Sequence, residues 1–83
     1  QGFPDGAGPD SVRQAAARAM LDGPHHYPRM RGMDALRAAV SAHYAATQGL
    51  AFHPATDIVV TSGATEALAC AILALVRPGD GVV

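Results

Sequence analysis

The stretch from Asp57 to Val76, DIVVTSGATEALACAILALV, constrains this chain more than any other. Ile58, Val59, Val60 and Thr61 are β-branched, a composition that suits a strand covered on both faces. Ser62 and Gly63 turn the chain, and Ala64 to Val76 holds neither Gly nor Pro and is apolar almost all the way round. A helix without a polar face belongs inside a larger body. Its first turn carries N–H groups without intrahelical acceptors, together with the positive end of the macrodipole, and both suit an anion such as phosphate.

The rest of the chain reads as the approach to that stretch. Gln1 to Pro9 (QGFPDGAGP) is rich in Gly and Pro and predicts an irregular arm. Asp10 or Ser11 is placed to cap a helix whose stripe is Val12, Ala15, Ala16, Ala19 and Met20, stopped by Gly23 and Pro24. Pro24 to Gly32 is an extended, stiff loop with a proline at either side of Tyr27. Asp34 is placed to cap a second helix to about Gln48, with Met33, Leu36, Val40 and Tyr44 along one face and Gly49 as its stop. Leu50 to Thr56 is a loop, Arg77 to Gly81 a turn, and Val82-Val83 the beginning of a strand.

A strand, a crossover helix and a second strand make a βαβ unit, so the expected class is α/β with a parallel, right-handed crossover. Two strands cannot cover Ala67 to Val76. At 83 residues, with an alanine-rich hydrophobic fraction of 49%, the chain has little core volume of its own. It also begins at Gln1 and stops within GVV, so a part of a longer protein is expected.

Charge excludes some partners. A formal net charge of −1 and a pI near 6.4 leave no electrostatic footprint for nucleic acid or an anionic membrane. The longest apolar run, Ala67 to Val76, is too short to span a bilayer and reads as a core helix. One cysteine rules out an internal disulfide framework and is compatible with a reducing cytosol. Cys70 reads as an inert thiol within the core helix.

The turn TSGAT matches neither the phosphate-loop pattern with its lysine nor the G-x-G-x-x-G dinucleotide pattern. On local pattern alone it is either a bland strand-to-helix turn or an anion cradle with Ala64 small enough for close approach and Thr65 offering a hydroxyl. Glu66 suits the dipole there, but beside a phosphate it would have to point away. His25, His26, His43 and His53 show no metal-ligand spacing, and Ser62 lacks the surroundings of a nucleophile elbow. No residue of the chain is assigned a catalytic role.

The succession GFPD, HYPRMRGMDALRAAVSAHY and HPATDIVVTSGATEALACAILALVRPGD closely resembles the N-terminal part of the class I/II, fold-type I aminotransferases dependent on pyridoxal phosphate (PLP), within the aspartate, kynurenine and methionine aminotransferase branch. The resemblance implies that residues 1–56 are the arm and helices of the small-domain and dimer-contact region and that 57–83 begin the PLP-binding large domain. It implies that Gly63 makes the tight turn and that Ala64 and Thr65 hold the cofactor phosphate. Tyr27 matches a tyrosine that reaches the phosphate in the neighbouring subunit of a homodimer, and Gly2, with Phe3 beside it, matches an arm glycine near the substrate α-carboxylate. Read without the family, Tyr27 is a packed loop aromatic and Gly2 mere arm punctuation. Gly6 departs from the family, which commonly has an aromatic there, and this bears on the packing of the arm.

A larger departure is that the six basic residues are all arginine. The family's Schiff-base lysine, the aspartate at its pyridine nitrogen and its carboxylate-binding arginine all fall downstream, so this segment is expected to be inactive alone. The resemblance implies an enzyme of amino-acid metabolism that moves an amino group between an amino acid and a 2-oxo acid, and the expected compartment is the cytoplasm. The alternatives are a C–S β-lyase of the same fold and an inert fragment that serves only as a structural or interaction piece.

Overall fold

The computed structural model describes residues 5–83. In chain order these form α1 (Asp10–Asp22), α2 (Asp34–Gln48) and α3 (Gly63–Leu75). No strand forms among the described residues, and no helix packs on another. None of the helices is long and apolar enough to cross a membrane.

The two N-terminal helices fall where the apolar spacing places them, but their caps differ from expectation. Pro9 and Met33 occupy the N-cap positions, with extended backbone and no side-chain cap. Asp10 and Asp34 lie inside the first turns, and their carboxylates accept hydrogen bonds from Arg13 and Arg37. An arginine three residues on lies on the same helix face and competes for the carboxylate. The acids still favour the positive helix end from inside it. At the far end of α2, Gly49 turns left-handed at φ 67, and its N–H and that of Leu50 both point back to the Tyr44 carbonyl.

The compact part of the chain is the joint between α2 and the loop that follows it. Tyr44 meets Phe52 edge-on, ring centroids 5.6 Å apart, and Ser41 donates its hydroxyl to the Phe52 carbonyl at 2.6 Å. Val40 and Tyr44 are half-buried, and Ile58, which lines the same depression, is the buried hydrophobic residue among those described. Arg37 is buried as well, and its guanidinium donates to the Pro54 carbonyl at 2.7 Å. These bonds bind the descending loop to α2, so Ile58 is delivered to the helix by contacts that precede it.

The expected strand at 58–61 is not formed. A strand requires a ladder, because each exposed N–H and C=O needs a partner. Here the Val60 N–H finds one, donating to the Arg31 carbonyl at 3.0 Å, and the pairing goes no further. Val59 is exposed while Ile58 is buried, so the segment is covered on one side. Val82-Val83 likewise pairs with nothing among the described residues. The Arg77–Asp80 turn does form, with the Arg77 N–H on the Asp80 carboxylate at 2.8 Å and the Asp80 N–H on the Arg77 carbonyl at 3.0 Å.

The apolar helix α3 has no buried residue. Leu68, Leu73 and Leu75 are each more than half exposed, and Cys70, expected in a core, faces solvent. Its composition favours burial on all sides, and the described residues provide no layer to bury it.

Candidate functional site

The start of α3 is built by three local hydrogen bonds. The Gly63 N–H donates to the Thr61 carbonyl at 2.9 Å, which closes a tight turn with Gly63 at φ 76. That left-handed value suits glycine, and a Cβ there would meet nothing within 4 Å, so the position is limited by backbone conformation and not by space. The Thr61 hydroxyl then donates to the Gly63 carbonyl at 3.0 Å. Glu66 folds back so that its carboxylate accepts the Ser62 N–H.

This arrangement leaves Ala64 and Thr65 as the open donors. Neither backbone N–H has an acceptor among the described residues, and both residues are exposed. The Thr65 hydroxyl is also without a partner there. Together they present two amide donors and one hydroxyl at the positive end of a helix, the chemistry that binds a phosphoryl or carboxylate group. Glu66 opposes this electrostatically. Its charge lies at the same helix end, but its hydrogen bond holds it to Ser62, one residue before Gly63.

Tyr27 stands apart from this cradle. It is fully exposed, with His25, His26 and Pro28 around it on an open surface depression. Among the described residues nothing packs on its ring. Within the single chain it does not close over α3. The expected substrate residues Gly2 and Phe3 lie outside the described residues.

The pattern of residue types did not single out what connects these parts. Arg31 donates to the carbonyls of Ala55 at 3.1 Å and Thr56 at 2.9 Å, and its own carbonyl accepts from Val60. Asp57 closes the same loop, taking the His53 N–H at 2.8 Å and the Thr56 hydroxyl at 2.7 Å. The Thr56 hydroxyl first, and then the His53 N–H, hold the Asp57 carboxyl below its ordinary value, with Arg31 and His53 adding smaller electrostatic contributions. The available signal was the glycine after Arg31, which sits where only a small residue fits against Val60.

Comparison with known proteins gives a consistent family. The aminotransferase class I and II family matches residues 1–83. The chain is 45% identical over 83 residues to a probable N-succinyldiaminopimelate aminotransferase, DapC, of Mycobacterium tuberculosis, covering 100% of this chain and 21% of that protein. It is 43% identical over 83 residues to a methionine aminotransferase of Escherichia coli, covering 100% of this chain and 22% of that protein. An aspartate aminotransferase of Rhizobium meliloti is 37% identical over 82 residues, covering 99% of this chain and 20% of that protein. The chain thus spans about a fifth of the length of the curated relatives it matches. No solved structure gives a significant match.

Proposed function

The chain belongs to the aminotransferase class I and II family, and from that premise we propose that it is the N-terminal segment of a PLP-dependent aminotransferase that moves an amino group between an amino acid and a 2-oxo acid. The observation that carries the cofactor assignment is the pair of unpartnered N–H groups of Ala64 and Thr65 after the left-handed Gly63. Two amides and the Thr65 hydroxyl fit a phosphoryl group at a helix N-terminus.

In this reading Ala64 and Thr65 hold the phosphate and so fix the cofactor's position at one end. Gly63 lets the backbone approach, and Ser62 keeps the Glu66 carboxylate tied back from the phosphate oxygens. Bound PLP supplies the electron sink that makes amino transfer at the substrate α-carbon possible. Tyr27 adds a hydroxyl to the phosphate in the neighbouring subunit of a homodimer. Gly2 and Phe3 contribute to the substrate entrance. Residues 1–56 form the arm and dimer-contact helices, and 57–83 begin the α/β cofactor domain, whose further layers cover α3. The chain contains no lysine, so the Schiff-base lysine belongs to sequence outside these residues. The enzyme is placed in the cytoplasm.

The test is isotopic. The full-length protein, supplied with PLP, a 15N-labelled amino acid and 2-oxoglutarate, is expected to yield 15N-labelled glutamate and the 2-oxo acid of the donor. Release of pyruvate and ammonia from a cysteine conjugate, with no label in glutamate, would instead identify a C–S lyase.

A further inference from the structure

Two adjacent residues, Arg31 and Gly32, join the Tyr27 loop to the segment leading to α3. Arg31 grips the later segment at both ends. Its guanidinium holds the carbonyls of Ala55 at 3.1 Å and Thr56 at 2.9 Å, and its carbonyl accepts the Val60 N–H at 3.0 Å. Gly32 follows at φ 93, so close to Val60 that a Cβ would stand 2.6 Å from the Val60 Cβ and Cγ2. The side chain of Val60 fills the space that any other residue at 32 would need.

The joint is short of slack on both sides. Toward Tyr27, the Gly32 N–H donates to the Arg29 carbonyl at 2.8 Å, closing a turn over Arg29–Gly32, and Pro28 fixes the backbone between that turn and the tyrosine. Toward the cradle, Thr61 and Ser62 alone separate Val60 from Gly63, and both are engaged in the hydrogen bonds that build the turn. Arg31 is exposed, so its contacts are not accounted for by burial of its own side chain.

We propose that Arg31 is a positioning residue that sets the register between Tyr27 and the phosphate turn. The cradle is built by its own local bonds, and the tyrosine that a subunit lends to its neighbour is then placed against it by this one joint. This rests on the reading of Tyr27, Ala64 and Thr65 as phosphate-binding residues.

The test is a double-mutant cycle on PLP binding to the full-length apoenzyme, read by absorbance and fluorescence, with far-UV circular dichroism and Tm measured alongside. Tyr27→Phe removes the hydroxyl and is expected to weaken PLP binding about tenfold, the scale of one hydrogen bond to a charged group. Arg31→Ala is expected to weaken it by a similar factor. In the double variant the loss is expected to stay within about twofold of Tyr27→Phe alone, because a displaced tyrosine and a missing hydroxyl are the same defect. Arg31→Lys, which keeps the charge but lacks the two-pronged donor geometry, is expected to fall between wild type and Arg31→Ala. Should Arg31→Ala fail to fold, Arg31→Lys takes its place in the same cycle. Multiplying losses in the double variant would overturn the proposal, since a general structural role acts equally in both backgrounds. A loss with Tyr27→Phe and none with Arg31→Ala would overturn the positioning role alone. No loss with Tyr27→Phe would remove the phosphate reading of the tyrosine and this inference with it.

Discussion

Arg37 reaches out of α2 to the carbonyl of Pro54, 2.7 Å away, and is the buried charged residue among those described. Its second prong lies on Asp34, whose side chain is mostly exposed. The exposed half of this arrangement contributes little, since solvent screens it. The half at Pro54 matters more, because an arginine stem and a carbonyl are covered together. The Nε of Arg37 is buried without a partner, which reduces the net gain.

Arg37→Met is therefore expected to destabilise the protein by about 1–3 kcal/mol, chiefly by leaving the Pro54 carbonyl without its donor. The urea midpoint reads this directly. Arg37→Lys retains one donor and no unpaired Nε, so its midpoint should lie between the two. A methionine variant as stable as wild type would show that the Pro54 contact does not hold the loop.

Asp57 makes the loop sensitive to acid. Its folded pKa is lowered, first by the Thr56 hydroxyl and then by the His53 N–H. A lowered carboxylate contributes order that is fully present above the ordinary aspartate value of about 3.9 and is lost as pH falls through the folded value. The Asp57 carboxyl carbon, followed by NMR, should therefore titrate with a midpoint below that of a free aspartate. In Asp57→Asn the acid-side change at the His53 amide should disappear. A midpoint at or above the ordinary value would contradict the hydrogen-bonding pattern.

Glu66 is expected to limit phosphate affinity. Its carboxylate accepts the Ser62 N–H at the end of α3 where the anion would sit. Glu66→Gln keeps an acceptor for Ser62 and removes the charge. PLP binding should tighten by about two- to fivefold, the scale of a single charge at a helix terminus. Weaker binding in this variant would mean that the charge orders the turn more than it repels the ligand.

The helices were legible in the sequence because their signals are local. Gly23-Pro24 and Gly49 bound α1 and α2 where the spacing places them, and α3 begins at Gly63 and ends at Leu75, one residue from the expected limits at each end. The caps are not legible in the same way, because Asp10 and Asp34 suit the N-cap and the first turn alike, and in the first turn Arg13 and Arg37 hold their carboxylates. The β-branched residues at 58–61 describe a surface to be packed but supply no ladder partner, so they do not by themselves make a strand. At the site, the glycine turn and the open donors of Ala64 and Thr65 follow from composition. The Arg31–Gly32 joint does not, because an arginine in a polar loop has the same appearance whether it faces water or holds carbonyls across a sequence separation of 24 and 25 residues.

The phosphate-binding role proposed for Ala64 and Thr65 is isolated by comparing PLP with pyridoxal, which lacks the phosphate. Thr65→Val removes the hydroxyl at nearly constant volume. Dissociation constants for both ligands are measured on wild-type and variant apoenzyme. The variant is expected to lose about tenfold or more in affinity for PLP and to keep its affinity for pyridoxal within about twofold, since the lost hydrogen bond is to the phosphate alone. Equal losses for the two ligands, or no loss for either, would contradict it.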